Sequence, residues 1–322
     1  MKIAVITRVA TFINDTIDEW EKKGYEVQKA GTYNVDLGRW ADVLFFEFID
    51  KEIKIATQCK IGSTKKIIGR LHRCEYYMGM LGRMTREEIR WDKVSTLIIT
   101  GKYFYDKIMA GPEKGWIGNK CNIIHLRYGV DKERYVYRER KNIDHSISLR
   151  TDKDQICNIG WLAKGYTWRK DPIKALSLFY AIRNKYADSK FKMYMAAGGG
   201  DRGIPDYWKY LYSTHPTLEQ DIIKLRWQGN VNKYLDNIDF FLNTSNNESF
   251  CFVIAEAALK GIKPLIWDFE PASTIWPKEW TFFSDQEMFD LMEGPYESEK
   301  YRQYIIDNFS LEAQVKEFDK LL

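Results

Sequence analysis

The sequence is poor in the residues that build metal sites and disulfide frameworks. Its 322 residues include four histidines, none paired at ligand spacing, and five cysteines, Cys59, Cys74, Cys121, Cys157 and Cys251, never spaced as Cys-x-x-Cys. Nothing here resembles a zinc ribbon or a disulfide scaffold, and the usage fits a reducing compartment. No apolar run approaches the roughly 20 residues that span a bilayer. The start, Met1-Lys2-Ile3-Ala4-Val5-Ile6-Thr7 with Arg8 behind it, reads as a strand and lacks the long apolar region of a secretory signal. These absences point to the cytoplasm and leave only peripheral contact with a membrane open. There is no tandem repeat and no low-complexity segment.

What is present is a globular balance: 45% hydrophobic and 29% charged residues, with 15% aromatics. The length suits two domains of roughly 150 residues better than one. The aromatic share is high enough to line a cleft or an interface as well as a core. Net charge is +4, a weak global sign. Its distribution says more. Residues 51–90 carry ten Lys/Arg against four acids, and residues 281–320 carry four against ten. Two solvated faces of opposite sign explain this; so does an anionic partner for the first half.

Strand and helix patterns alternate, which indicates α/β domains with parallel sheets. Strands are predicted over 2–7, 25–29, 43–48, 66–71, 94–100 and 121–126, with a helix over 12–23. The stretch 131–154, rich in Arg and Lys and without a period, reads as a linker. The pattern restarts with strands over 155–161, 191–197, 225–228, 239–242 and 263–267. Helices are expected over 172–186, with Pro172 in the first turn, and over 252–259, closed by Gly261 in the left-handed conformation. The tail 298–322 reads as helix in two pieces. Domains are thus expected at 1–150 and 151–300, with 301–322 packing back towards the first. Each is Rossmann-like, and open sheets of this kind bind ligands at the carboxyl ends of their strands, here in a cleft between the domains.

The stretch richest in chemistry runs from Asn247 to Ile266. Glu248 precedes the predicted helix and Glu256 lies inside it, eight residues on. That is a little over two turns, so both can face one cleft. A sugar nucleotide carries vicinal hydroxyls on its sugar and on its ribose, and carboxylates accept from such diols. The helix start between them has free N–H groups suited to a diphosphate. Glu256 interrupts an otherwise apolar run from Phe252 to Leu259, which argues against an incidental glutamate. Arg169 and Lys170 form a basic pair at a helix start, where the dipole disfavours cations. Glu75 could orient an acceptor hydroxyl or pair with an arginine. Gly198-Gly199-Gly200 suits close backbone approach, or a loose loop.

The segment Asn247-Glu248-Ser249-Phe250 through Glu256-Ala257-Ala258-Leu259-Lys260-Gly261 resembles retaining GT-B glycosyltransferases of family four, with their E-x7-E motif. The likeness extends to Asn158-Ile159-Gly160, Trp168-Arg169-Lys170-Asp171-Pro172, Gln228-Gly229-Asn230-Val231, Tyr234 and Asp239-Phe240-Phe241-Leu242. It also takes in the weaker 41–48, 71–75, 128–135 and 308–312 stretches. The resemblance implies a GT-B fold: two Rossmann-like domains with parallel sheets facing across a cleft. It implies that Glu256 holds the ribose, that Glu248 contacts the donor sugar with His72 nearby, and that Arg169 and Lys170 neutralise the departing diphosphate. Gly160, Lys164, Gln228, Ser249, Phe250 and Cys251 become nucleotide-contacting positions. Two departures stand out. The family often has Gly-Gly after its first strand, where this chain has Arg8-Val9-Ala10. It often has Arg after the glycine of the first C-domain strand, where this chain has Trp161, with Lys164 as a substitute.

The expected activity is transfer of a hexose-type sugar from a nucleotide diphosphate, UDP or GDP, to a hydroxyl. Retention is implied by the resemblance alone. No Asp-x-Asp pair lies beside the donor motifs, so no metal and no cofactor beyond the donor is expected; fixed cations and a helix terminus can do the electrostatic work. The acceptor is expected to be anionic, whether lipid-linked, glycan or nucleic acid. It would dock by the 51–90 window beside Tyr76, Tyr77 and Met78. The rival is a non-catalytic protein that binds nucleic acid or an anionic surface on a degenerate GT-B scaffold.

Overall fold

The computed structural model describes residues 1–77, 88–139, 156–187, 190–201 and 203–322. From residue 140 on, the expected linker lies outside the described residues, as do Gln155, Met78, Arg83 and Arg86. The described chain divides into two compact units, Met1–Asp131 with Phe309–Leu322, and Lys132–Asn308.

The first unit is built on six parallel strands: Lys2–Ile6 (β1), Glu26–Ala30 (β2), Val43–Phe46 (β3), Lys66–Leu71 (β4), Thr96–Ile99 (β5) and Asn122–His125 (β6). Their order is β2-β1-β3-β4-β5-β6. The central strands are apolar on both faces because helices cover both: Ile3 to Ile6 and Val43 to Phe46 are all buried. β2, at the edge, keeps Glu26, Gln28 and Lys29 exposed, which guards an open strand against further pairing. Helix Leu311–Leu321 completes this unit. Its Phe318 meets Trp20 and Phe45 edge-on, at centroid distances of 5.6 and 5.5 Å. The helix expected over 12–23 is split. A 3₁₀ turn, Ala10–Phe12, precedes helix Asn14–Lys22, because Ile13 leaves helical geometry at φ −130°.

The second unit repeats the scheme with Cys157–Tyr166 (β7), Phe191–Gly200 (β8), Ile222–Leu225 (β9), Phe240–Asn243 (β10), Lys263–Trp267 (β11) and Thr281–Phe282 (β12). The order is β12-β11-β10-β7-β8-β9, all parallel. β7 and β10 are the neighbours between which the direction of winding reverses. β9 lies upstream of its expected place: Ile222 is buried and pairs with Met193, whereas Arg226 and Trp227 are exposed. The triple glycine is neither a loop nor a turn. It extends β8 alongside β7, and a Cβ on Gly200 would stand 2.1 Å from the Tyr166 carbonyl oxygen. The close backbone approach it permits is strand to strand. Helix Phe252–Leu259 ends as expected, with Gly261 at φ +78°.

Candidate active site

The winding of the second sheet places two chain segments at its switch point, the position where open α/β sheets bind ligands. After β7 comes the turn Thr167–Asp171; after β10 comes the loop 244–251. The turn is held from several sides. Asp201 accepts from the Trp168 amide at 2.8 Å, and the Asn246 side chain donates to the Trp168 carbonyl at 2.9 Å. Thr244 Oγ1 lies 2.9 Å from the carbonyl oxygens of both Lys170 and Asp171 and accepts from the Trp161 indole at 3.0 Å. Asp171 takes the left-handed conformation at φ +45° and caps the following helix by accepting from the Lys174 amide at 3.0 Å, with Pro172 in the first turn. Trp161, where the resemblance places an arginine, is 2% exposed. It supports the basic turn and supplies no cation.

Arg169 and Lys170 converge on one oxygen. Glu248 Oε1 accepts from Arg169 Nη1 at 2.6 Å, from Lys170 Nζ, and from Ser245 Oγ at 3.0 Å. Two cations on one carboxylate leave the cluster with an excess positive charge where the Glu248 and Lys170 side chains are only 10% and 13% exposed. Such a site favours an incoming anion, because a charge in poor solvent gains much from a partner. Burial alone would pull the Lys170 ammonium down; Cys251 and Glu248 outweigh it and hold it above its ordinary value. Glu248 is the partner that matters at neutral pH, since burial pushes the Cys251 thiol up to about 11 and leaves it uncharged.

Cys251 sits at φ +68° and enters helix Phe252–Leu259 without a side-chain cap. Its Sγ lies 3.2 Å from Asn243 Nδ2 and 3.8 Å from Lys170 Nζ. The thiol feels the charges of both Glu248 and Glu256, so the two carboxylates share one neighbourhood. Glu256 accepts from the Tyr135 hydroxyl at 2.6 Å. Phe250, 2% exposed, stacks on Trp276 at 5.2 Å, and Ser249 beside it is half-buried.

Gly160, Lys164 and Gln228 are the remaining expected nucleotide-contacting positions. Gly160 is inside β7, where a Cβ would meet Ile238 Cγ2 at 2.8 Å; its smallness serves packing. Lys164 is exposed on β7, and Gln228 donates to the Arg226 carbonyl at 2.7 Å.

His72 belongs to the first unit and follows β4. It is 4% exposed and stacks on Phe48 at 4.5 Å. Its Nδ1 lies 2.5 Å from the Tyr128 hydroxyl, and its Nε2 is 3.0 Å from Glu47 Oε1 without hydrogen-bond alignment. Glu47 also accepts from Arg70 Nε at 3.1 Å and Nη2 at 2.6 Å, with Arg70 fully buried. Burial works against the Glu47 carboxylate, but Arg70 and His72 outweigh it and hold it below its ordinary 4.5. Glu75 is buried and pairs with no arginine among the described residues. It accepts from the Ile49 amide at 2.8 Å and the His72 amide at 3.1 Å. The 51–90 window is accordingly less of a surface than its count suggests: Arg70 is internal, Lys54 pairs with Glu88 at 3.2 Å, and Lys66 donates to the Leu322 carbonyl at 3.0 Å.

Sequence reasoning missed Glu47, Tyr135, Thr244, Ser245 and Asn246. The run Asn243-Thr244-Ser245-Asn246-Asn247 directly after a buried strand was the available sign for the last three. Glu47 was the lone charge inside the apolar strand expected over 43–48. Among the described residues no group of three or more His, Cys, Asp or Glu side chains is placed so that it could hold a metal ion. No helix among them is long and apolar enough to cross a membrane.

No family model matches the sequence, and no curated protein matches it. Solved structures do. HepE of Anabaena, in complex with UDP and glucose, matches with a TM-score of 0.69 at 14% identity, over 99% of this chain and 98% of its own. Sucrose-phosphate synthase from Thermosynechococcus elongatus gives 0.68 at 10% identity, over 100% and 98%. A glycosyltransferase from Rickettsia africae gives 0.66 at 10%, over 99% and 97%. At such identities the likeness is one of fold: the chain has the GT-B architecture, two Rossmann-like units on parallel six-stranded sheets.

Proposed function

We propose that the chain is a glycosyltransferase that takes a sugar from a nucleotide diphosphate at the switch point of its second sheet. The observation that carries this is the Arg169–Lys170–Glu248 cluster, with its excess positive charge, beside a helix start that lacks a side-chain cap. A diphosphate seated there gains charge as the sugar departs. Fixed cations and helix N–H groups stabilise that transition state more than the ground state. Arg169 and Lys170 supply the positive charge that a divalent ion would otherwise bring. Glu256 is proposed to accept from the ribose, Glu248 to address the donor sugar, and Cys251, Phe250 and Ser249 to shape the phosphate end. A role for His72 near the donor sugar rests on the resemblance alone. Family four, retention of configuration and a hexosyl donor rest on the resemblance. UDP is the first nucleotide to try, because the HepE structures hold UDP-glucose or UDP.

The non-catalytic rival has no specific observation in its favour; a mere scaffold has no use for two cations converging on a buried carboxylate. The test is incubation with a panel of nucleotide sugars and hydroxyl acceptors, with mass spectrometry of products. Release of free nucleotide together with a hexosylated acceptor is expected. No turnover of any nucleotide sugar, alone or with acceptor, would overturn the reading.

A further inference from the structure

Glu256 is gripped by a residue outside its own motif. Tyr135, 6% exposed, donates its hydroxyl proton to Glu256 Oε1 at 2.6 Å. The segment that carries Tyr135 is fastened to the same part of the second unit. Arg302 Nη1 donates to the Tyr135 carbonyl at 3.0 Å and to the Leu259 carbonyl at 2.7 Å, bridging the segment to the end of the helix that bears Glu256. Asn232 donates to the Arg134 carbonyl at 2.7 Å, and the Arg138 amide reaches the Lys260 carbonyl at 3.4 Å. The phenol oxygen is therefore a fixed point, set by backbone anchors on both sides of Tyr135.

A glutamate in a helix leans towards the helix start. Glu256 follows Phe252 by four residues, about 6 Å along the axis, so its carboxylate reaches back towards the anion-favouring end. A carboxylate offers about four lone-pair directions. A vicinal diol needs two of them in one plane, one for each hydroxyl. A carboxylate free to rotate must be ordered when the ligand arrives, at an entropic cost; one already held by a proton donor is pre-organised.

We infer that Tyr135 is a positioning residue: by bonding Glu256 Oε1 it fixes the carboxylate plane for a ribose cis-diol, and so makes the site selective for ribonucleotides over 2′-deoxyribonucleotides. The inference rests on the proposed assignment of Glu256 to the ribose. Tyr135→Phe removes one hydroxyl and keeps the ring that packs there, so the fold survives it, as thermal unfolding can verify.

The experiment is calorimetric titration of UDP and 2′-deoxy-UDP into the wild type and Tyr135→Phe. The wild type should prefer UDP by about tenfold, the worth of one charge-assisted hydrogen bond. Tyr135→Phe should bind 2′-deoxy-UDP as the wild type does, with the preference for UDP cut by about threefold or more. A variant that keeps the full preference overturns the inference and leaves the nucleotide site standing. A wild type that binds both equally overturns it together with the Glu256 assignment. A wild type that binds neither overturns the donor reading as well.

Discussion

One oxygen of Glu248 carries two cations, and the consequences of removing it differ from those of removing Glu256. Glu248→Gln leaves Arg169 and Lys170 with less to balance them, so their attraction for a diphosphate should be kept or strengthened. Turnover should fall about a hundredfold, the scale of losing an interaction tuned to the transition state. Glu256→Ala should instead weaken UDP binding by about 1–3 kcal/mol. Calorimetry with steady-state kinetics separates the two, and equal losses of affinity in both variants would contradict the division of roles. In the first unit, Glu47 is the only carboxylate paired with the buried Arg70 among the described residues. Its pKa lies below the ordinary 4.5 in the folded chain, so it stabilises the fold above that pH, and the contribution is lost as pH falls through and below it. Urea unfolding should therefore show wild type and Glu47→Gln furthest apart near pH 7 and converging below about pH 4.5. A gap independent of pH would mean the pair contributes no linked stability. Glu47→Ala, which strands the guanidinium, should cost about 3–5 kcal/mol.

The elements most legible in the sequence were those with a one-dimensional signature. β1 and β3 carry the unbroken apolar runs Ile3–Ile6 and Val43–Phe46, and helix Phe252–Leu259 is closed by a glycine that adopts the left-handed conformation. What escaped was decided across the sheet. β9 takes Ile222–Leu225 because Ile222 pairs with Met193, which no local period reveals. The helix Gly203–Thr214 opens on Gly-Ile-Pro, which reads as a breaker although proline is at home in a first turn. Tyr135 lies in a charged stretch, and its partner is 121 residues away. The triple glycine was legible as a demand for close approach, but the sequence does not say what approaches. The structure makes that demand unequal. A Cβ on Gly199 meets nothing within 4 Å, whereas one on Gly200 meets the Tyr166 backbone at 2.1, 2.7 and 2.8 Å. Gly200→Ala should lower stability by about 1–3 kcal/mol, as overpacking does, and Gly199→Ala should be near neutral. Thermal unfolding of the two single variants decides it; equal effects would refute the strand-to-strand role.

At the scale of the whole molecule, identities of 10% to 14% accompany near-complete coverage of other GT-B chains. The architecture is thus fixed by the pattern of buried strands rather than by particular residues, while the proposed chemistry rests on a few side chains at one switch point. The proposed anionic acceptor belongs to this scale too. With Arg70 internal and Lys54 paired, the described part of the basic window offers less free charge than its count, and its steering should fade as salt shortens the Debye length below about 8 Å. Replacing Lys65 and Lys66 by Gln should lower transfer and flatten its salt dependence while donor hydrolysis survives. Transfer unaffected by both changes would make the window a solvated face. The central claim concerns the second unit. Its most direct measurement is calorimetric titration of UDP into the wild type and Lys170→Ala, in buffer containing EDTA. The account predicts that the wild type binds under chelation and that the variant binds about tenfold more weakly or worse. Binding abolished by EDTA, or equal affinity in the two proteins, would contradict it.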